Sequence, residues 1–331
     1  MGHLIYLVSV PLLTCAVLDD YQDAALSSAD WTALDGRVAV RTLREHLTDR
    51  AELVAALADA EIIVAMRERT PFDAALFAAL PRLRLLVTTG MRNASIDLAA
   101  AAAHGVTVCG TAGSGRSTAE LTWALVLGLA RHLPAENRSV REGGRWQSTV
   151  GRDLHGATLG VLGLGRIGAQ VAAIGTAFGM DVLAWSQNLT TERAAAAGAR
   201  LAGSKEELLA ASDFATIHLV LSDRTRGLIG GAELRTLRQD AYLVNTSRAG
   251  IVDQAALLVA LRENQIAGAG LDVFETEPLA PDDPLRTLPN VLATPHLGYV
   301  TRQNYAVFYG EAVEDIAAYL DGKPVRVLTA G

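Results

Sequence analysis

The chain has 331 residues, half of them hydrophobic, which is long for one core and predicts two domains that need no covalent staple. Its formal net charge of −7 argues against a nucleic-acid surface, which needs clustered Lys and Arg, and favours small-molecule chemistry. Two distant cysteines, Cys15 and Cys109, make neither a disulfide framework nor a zinc motif, so no metal is expected and a reducing compartment, the cytoplasm, is.

The apolar start, Met1 to Leu13, lacks a basic n-region and a small-residue cleavage site, is interrupted by Pro11, and is too short to span a bilayer. It reads as an extension before the first strand, with no membrane role. Strand-like runs then alternate with helical patterns. Cys15–Leu18, Val38–Thr42, Ile62–Ala65, Leu85–Thr88 and Val106–Cys109 read as strands, with helices such as Arg50–Ala58 and Asp73–Ala79 between them. A long apolar helix, Ser117–His132, follows Gly110, and a polar stretch runs from Pro134 to Gly156. A second series of strands is expected at Leu159–Leu162, Val182–Trp185, Phe214–His218, Tyr242–Asn245, Gly268–Val273 and Val291–Thr294, before a closing helix from Thr301 to Leu320.

This alternation predicts an α/β fold of two Rossmann-like or flavodoxin-like domains with parallel sheets and a cleft between them. The expected division is a discontinuous substrate domain, 1–110 plus 297–331, and a dinucleotide-binding domain, 111–296. The second series carries the strongest motif, Gly163-Leu164-Gly165-Arg166-Ile167-Gly168, between an apolar strand and a small-residue helix. In such a turn the first glycine permits the tight backbone, the second lets a pyrophosphate approach, and the third lets helix and strand pack closely. The helix N-terminus adds N–H donors and a positive dipole end for the phosphates.

A nicotinamide site needs a proton donor and a cation to hold a carbonyl substrate, and candidates stand just after successive predicted strands. Arg248 follows Tyr242–Asn245, Glu277 follows Leu271-Asp272-Val273-Phe274, and His296 follows Val291–Thr294. Singly, each also reads as a surface charge, a turn residue or a packed loop histidine; their convergence at one sheet edge is what points to chemistry.

With these motifs in order, the chain resembles the D-isomer-specific 2-hydroxyacid dehydrogenase family over residues 14–325. The resemblance rests on the glycine turn, Asn245-Thr246-Ser247-Arg248 with Ile251-Val252-Asp253, Leu271-Asp272-Val273-Phe274-Glu275-Thr276-Glu277-Pro278-Leu279, and Thr294-Pro295-His296-Leu297-Gly298. It implies that His296 protonates the 2-oxo oxygen as hydride arrives, that Glu277 hydrogen-bonds the imidazole and favours its charged form, and that Arg248 grips the substrate carboxylate and carbonyl. Asp272 would face the nicotinamide carboxamide and Thr246 would line the ring. Gly163, Gly165, Arg166, Ile167, Gly168, Ser186, His218 and Gly298 complete the implied cofactor contacts, and Gly90, Met91 and Arg92 join Arg248 against the substrate.

The pattern departs from the family at informative places. The strand tip reads Trp185-Ser186-Gln187-Asn188, so Ser186 stands where NAD-users carry the aspartate that repels a 2′-phosphate. The cofactor is therefore NAD or NADP, with a slight lean to NADP. In Gly90-Met91-Arg92, Arg92 replaces the family's second glycine and either enters the substrate pocket or points to solvent. Ala249 and Val220 replace a glycine and a proline in two further loops, a smaller loss of local geometry. The Ser117-Thr118-Ala119-Glu120 helix is apolar around most of its circumference, either as core or as the homodimer contact the resemblance implies, and Trp146 reads as packing.

The expected function is an NAD(P)-dependent oxidoreductase interconverting a small 2-oxo acid, such as glyoxylate or hydroxypyruvate, and its D-2-hydroxy acid. The resemblance includes formate dehydrogenases, which would not be expected to keep this glutamate–histidine pair. The alternative is a non-catalytic NAD(P)-sensing protein like the C-terminal-binding corepressors, which usually carry disordered flanks that are not seen in this sequence.

Overall fold

The computed structural model describes residues 12–330; Met1 to Pro11 of the expected extension lie outside the described residues. The chain divides into two compact units, Met1–Ser114 with Thr301–Gly331, and Gly115–Val300.

The first unit contains β1 (Leu13–Val17), β2 (Val38–Thr42), α1 (Arg50–Leu57), β3 (Ile62–Ala65), α2 (Ala74–Ala79), β4 (Leu85–Thr88), α3 (Leu98–Ala103) and β5 (Thr107–Gly110). Its sheet is parallel with the order β2-β1-β3-β4-β5, the flavodoxin-like arrangement. Every residue of β3 and β4 is buried, as expected of parallel strands covered on both faces. The first strand begins at Leu13 rather than Cys15 because it pairs with β2 along its whole length, Leu13 opposite Val38. Asp49, Asp73 and Asp97 cap the three helices with side-chain oxygens. The closing helix, Arg302–Leu320, returns to this unit and packs against β4. Cys15 and Cys109 are buried and unpaired, and burial pushes each thiol up to about 12.

The second unit runs α4 (Ser117–Ala130), α5 (Leu133–Arg141), β6 (Thr158–Leu162), α6 (Arg166–Ala177), β7 (Asp181–Trp185), α7 (Thr191–Ala196), β8 (Arg200–Leu201), α8 (Lys205–Ala211), β9 (Phe214–Ile217), α9 (Gly231–Thr236), β10 (Tyr242–Asn245), α10 (Gln254–Arg262), β11 (Gly268–Leu271) and β12 (Val291–Ala293). Its parallel sheet has the order β12-β11-β10-β9-β6-β7-β8. Strand order reverses between β6 and β9, and the glycine turn leaves β6 at that switch point, where open α/β sheets bind ligands. Strand β8 leaves no mark in the sequence: two residues paired to Leu183 and Ala184 are too short for an apolar run.

Helix α4 is absorbed by its own unit. Trp123, Leu125, Val126 and Leu129 are buried, and the helix packs on α6, β10, β11 and β12, so its apolar circumference needs no second copy to cover it. The stretch expected to be polar and irregular after it contains α5, which has no buried residue. Glu136 on α5 accepts from the Ser148 and Thr149 side chains, folding the segment back on the helix. Trp146 is not packed within the chain: it is 77 % exposed, with Val140 at 61 % and Val150 at 93 %, because no core lies beneath this arm.

Candidate active site

The glycine turn is built as its residue types require. Gly163 has φ +96, and a Cβ there would stand 2.6 Å from the His218 carbonyl oxygen. A Cβ on Gly168 would come within 2.0 Å of the Gly163 carbonyl oxygen, so only glycine lets α6 start this close to β6. Gly165 is the N-cap of α6 and faces open space. No side chain caps α6, whereas Thr190, Ser204 and Asp253 cap α7, α8 and α10. Its terminal N–H groups and dipole thus suit an anion.

The remaining cofactor candidates gather around this turn. Arg166 is exposed in the first turn of α6 with its guanidinium beside Gly115, and Ile167 packs partly on the core. The Gly163 N–H donates to the Trp185 carbonyl at 2.8 Å, which sets Ser186 beside the turn. His218 extends β9, its N–H donating to the Leu162 carbonyl at 2.7 Å. Both of its ring nitrogens are buried without a hydrogen-bond partner, and burial pushes the imidazole down to about 3, so it is neutral at physiological pH. An open cradle, an uncapped helix and an orphaned imidazole at one sheet edge fit a dinucleotide.

The acid–base candidates meet directly. His296 Nδ1 lies 2.7 Å from Glu277 Oε2, and Glu277 Oε1 accepts from the Phe274 N–H at 2.9 Å. With Nδ1 committed to the carboxylate, Nε2 is the nitrogen able to exchange a proton with a substrate. His296 has φ +55, and Asp272 builds the turn that holds it there. Asp272 Oδ1 accepts from Thr294 Oγ1 at 2.6 Å and the Leu297 N–H at 2.7 Å, while Oδ2 accepts from the Gly298 N–H at 2.8 Å. Burial pushes the Asp272 carboxyl up, against the pull of these bonds and of His296. The Tyr299 ring stands edge-on to the imidazole, with centroids 5.5 Å apart.

Arg248 is placed by a turn at the end of β10. Asn245 Oδ1 accepts from the Ser247 N–H at 3.0 Å, Asn245 Nδ2 donates to the Arg248 carbonyl at 3.0 Å, and Ser247 Oγ donates to the Ile217 carbonyl at 2.7 Å. The half-buried guanidinium donates from Nη1 to the Ser247 carbonyl at 2.7 Å. Because β10, β11 and β12 are neighbours, Arg248, Asp272 with Glu277, and His296 leave the same edge of the sheet. Thr246, also at the end of β10, meets Thr122 of α4, with their hydroxyls 2.8 Å apart.

In the first unit, Gly90, Met91 and Arg92 follow β4. Gly90 is buried with φ +122, and a Cβ there would fall 1.9 Å from Arg67 Nη1, which donates to the Thr89 carbonyl at 3.0 Å. Met91 is 47 % exposed, and Arg92 is exposed on its unit. Arg67, Thr118, Thr122 and Tyr299 stand beside these groups without any motif of their own in the sequence. An arginine two residues beyond a strand end carries no signal until the neighbouring loop shows what it covers.

A dinucleotide cradle at the switch point and a carboxylate–imidazole pair along the same edge define a nicotinamide-dependent dehydrogenase. Residues 123–298 match the model of the D-isomer specific 2-hydroxyacid dehydrogenase NAD binding domain, and the chain belongs to that family. It is similar to glyoxylate reductase of Aeropyrum pernix, 42% identical over 260 residues covering 76% of this chain and 77% of the relative. It is also similar to D-3-phosphoglycerate dehydrogenase of Archaeoglobus fulgidus, 39% identical over 280 residues covering 84% of this chain and 53% of the relative. The chain spans about half the length of such phosphoglycerate dehydrogenases. Among solved structures, phosphoglycerate oxidoreductase of Vibrio cholerae o395 superposes with a TM-score of 0.90 at 36% identity, covering 94% of this chain and all of that one. No helix among the described residues is long and apolar enough to cross a membrane.

Proposed function

We propose that the protein reduces a small 2-oxo acid, such as glyoxylate or hydroxypyruvate, to its D-2-hydroxy acid and catalyses the reverse oxidation. The observation that carries this reading is the 2.7 Å contact between His296 and Glu277, which supplies an oriented proton donor. When bound, the reduced nicotinamide supplies the hydride. His296 Nε2 delivers a proton to the 2-oxo oxygen, and takes one from the hydroxyl in the reverse direction. Glu277 stabilises the imidazolium before transfer. Arg248 holds the substrate carboxylate and polarises the carbonyl with its planar fork.

Gly163, Gly165 and Gly168, with the first turn of α6, hold the pyrophosphate, and Arg166, Ile167, His218, Thr246, Asp272 and Gly298 complete the cofactor contacts. Ser186 presents no carboxylate against a 2′-phosphate, so NADPH is accepted beside NADH and slightly preferred. A second copy of the chain covers the exposed apolar side chains of the α5 arm, Val140, Trp146 and Val150. The enzyme works in the cytoplasm.

A panel of 2-oxo acids, followed at the absorbance of the reduced nicotinamide, tests the reading. Turnover is expected with glyoxylate or hydroxypyruvate. Failure of every acid to oxidise NADH or NADPH would overturn it and favour a cofactor-sensing protein.

A further inference from the structure

A line of threonine hydroxyls joins α4 to both loops of the proposed nicotinamide end. Thr118 Oγ1 donates to the Gly298 carbonyl at 2.9 Å, Thr122 Oγ1 donates to the Thr118 carbonyl at 2.8 Å, and Thr122 Oγ1 lies 2.8 Å from Thr246 Oγ1. A hydroxyl has one proton to give. With the Thr122 proton on the Thr118 carbonyl, which can only accept, the hydrogen bond between the two threonines is donated by Thr246. Both residues are buried, Thr122 at 0% exposure and Thr246 at 6%, which leaves this order little freedom to reverse. With its proton spent on Thr122, Thr246 offers a ligand only lone pairs.

Thr246 stands beside a second acceptor. It directly follows Asn245 as Asp272 follows Leu271, and Asn245 and Leu271 are register partners on adjacent parallel strands. The Asp272 carboxylate takes hydrogen bonds from its own loop and has none to give while ionised. Two acceptors side by side at the strand ends suit a group rich in N–H donors, a primary carboxamide, and disfavour one that presents only a carbonyl.

We infer that Thr122 is a positioning residue: by holding the Thr246 proton, it fixes this end of the site as an acceptor surface that reads the carboxamide N–H of the nicotinamide ring. The inference rests on the proposed binding of a nicotinamide cofactor here. Thr122→Val removes the hydroxyl at nearly constant volume and frees Thr246 to rotate its proton toward the ligand. Thr122→Ser keeps the hydroxyl, and Thr122→Ala removes it with a smaller side chain.

Dissociation constants would be measured by fluorescence titration for NADH and for its reduced 3-acetylpyridine analogue, in which an acetyl group replaces the carboxamide. The unmodified protein and Thr122→Ser should prefer NADH, and Thr122→Val and Thr122→Ala should lose about tenfold of that preference, the worth of one oriented hydrogen bond. An unchanged preference in both hydroxyl-free variants, or a Thr122→Ser as poor as they are, would overturn the inference. Absence of NADH and NADPH binding in the unmodified protein would instead refute the function proposed above.

Discussion

Glu277 Oε2 lies 2.7 Å from His296 Nδ1, and its other oxygen is held at 2.9 Å by the Phe274 N–H, so the carboxylate is kept facing the imidazole. Removing its charge while keeping its shape is therefore an informative change. Glu277→Gln should lower kcat for 2-oxo acid reduction by about 10²-fold, and His296→Ala by about 10³-fold, with little change in the NADH dissociation constant. An unchanged kcat in Glu277→Gln would remove Glu277 from the mechanism.

Gly168 touches the Gly163 carbonyl so closely that a single methyl group must displace the turn. Gly168→Ala should destabilise the fold by about 2 kcal/mol through overpacking and should weaken NADH binding well beyond that of a surface control. Denaturant melts and a binding titration check the two effects separately. Tight NADH binding in a folded variant would dissociate the turn from the cofactor.

Ser186 sits beside the same turn through the Gly163–Trp185 hydrogen bond. Ser186→Asp should reduce kcat/KM for NADPH by about tenfold or more while leaving NADH use nearly intact, because a carboxylate there meets the 2′-phosphate but can accept from the 2′-hydroxyl. Measuring both cofactors in both proteins gives the answer. An equal effect on the two would place Ser186 away from the ribose.

His218 makes a prediction about pH. Burial holds its imidazole at about 3 in the folded protein, below the ordinary value near 6.5 expected of the unfolded chain. Between those values the unfolded chain binds the extra proton, so stability is fully present above pH ~6.5 and is lost as pH falls toward the folded value. At pH 5 the loss amounts to about 2 kcal/mol, and His218→Leu should remove that component of the acid slope. Denaturant midpoints at pH 7 and pH 5 test it; parallel losses in the two proteins would contradict it.

Trp146, at 77 % exposure on an arm with no core of its own, is the place to attack the proposed dimer. Trp146→Glu should shift sedimentation from dimer toward monomer without changing the thermal stability of the monomer. A dimer that persists unchanged would move the interface elsewhere.

Much of this molecule is determined by local sequence. The bounds of β3 and β4 follow from their apolar runs, since parallel strands buried on both faces need unbroken hydrophobicity. The glycine turn follows from steric necessity at Gly163 and Gly168, and the arginine, glutamate and histidine motifs follow from their order behind successive strands. Other features depend on neighbours distant in the chain. The two-residue β8 exists only as a partner of β7, and α5 buries nothing, so neither leaves a hydrophobic pattern. Tertiary packing alone decided that α4 is core, that Trp146 is surface, that Arg67 fills the space beside Gly90, and that the Thr122 and Thr246 hydroxyls meet. Periodicity records which residues leave water; hydrogen-bond direction and close approach arise only when separate segments meet.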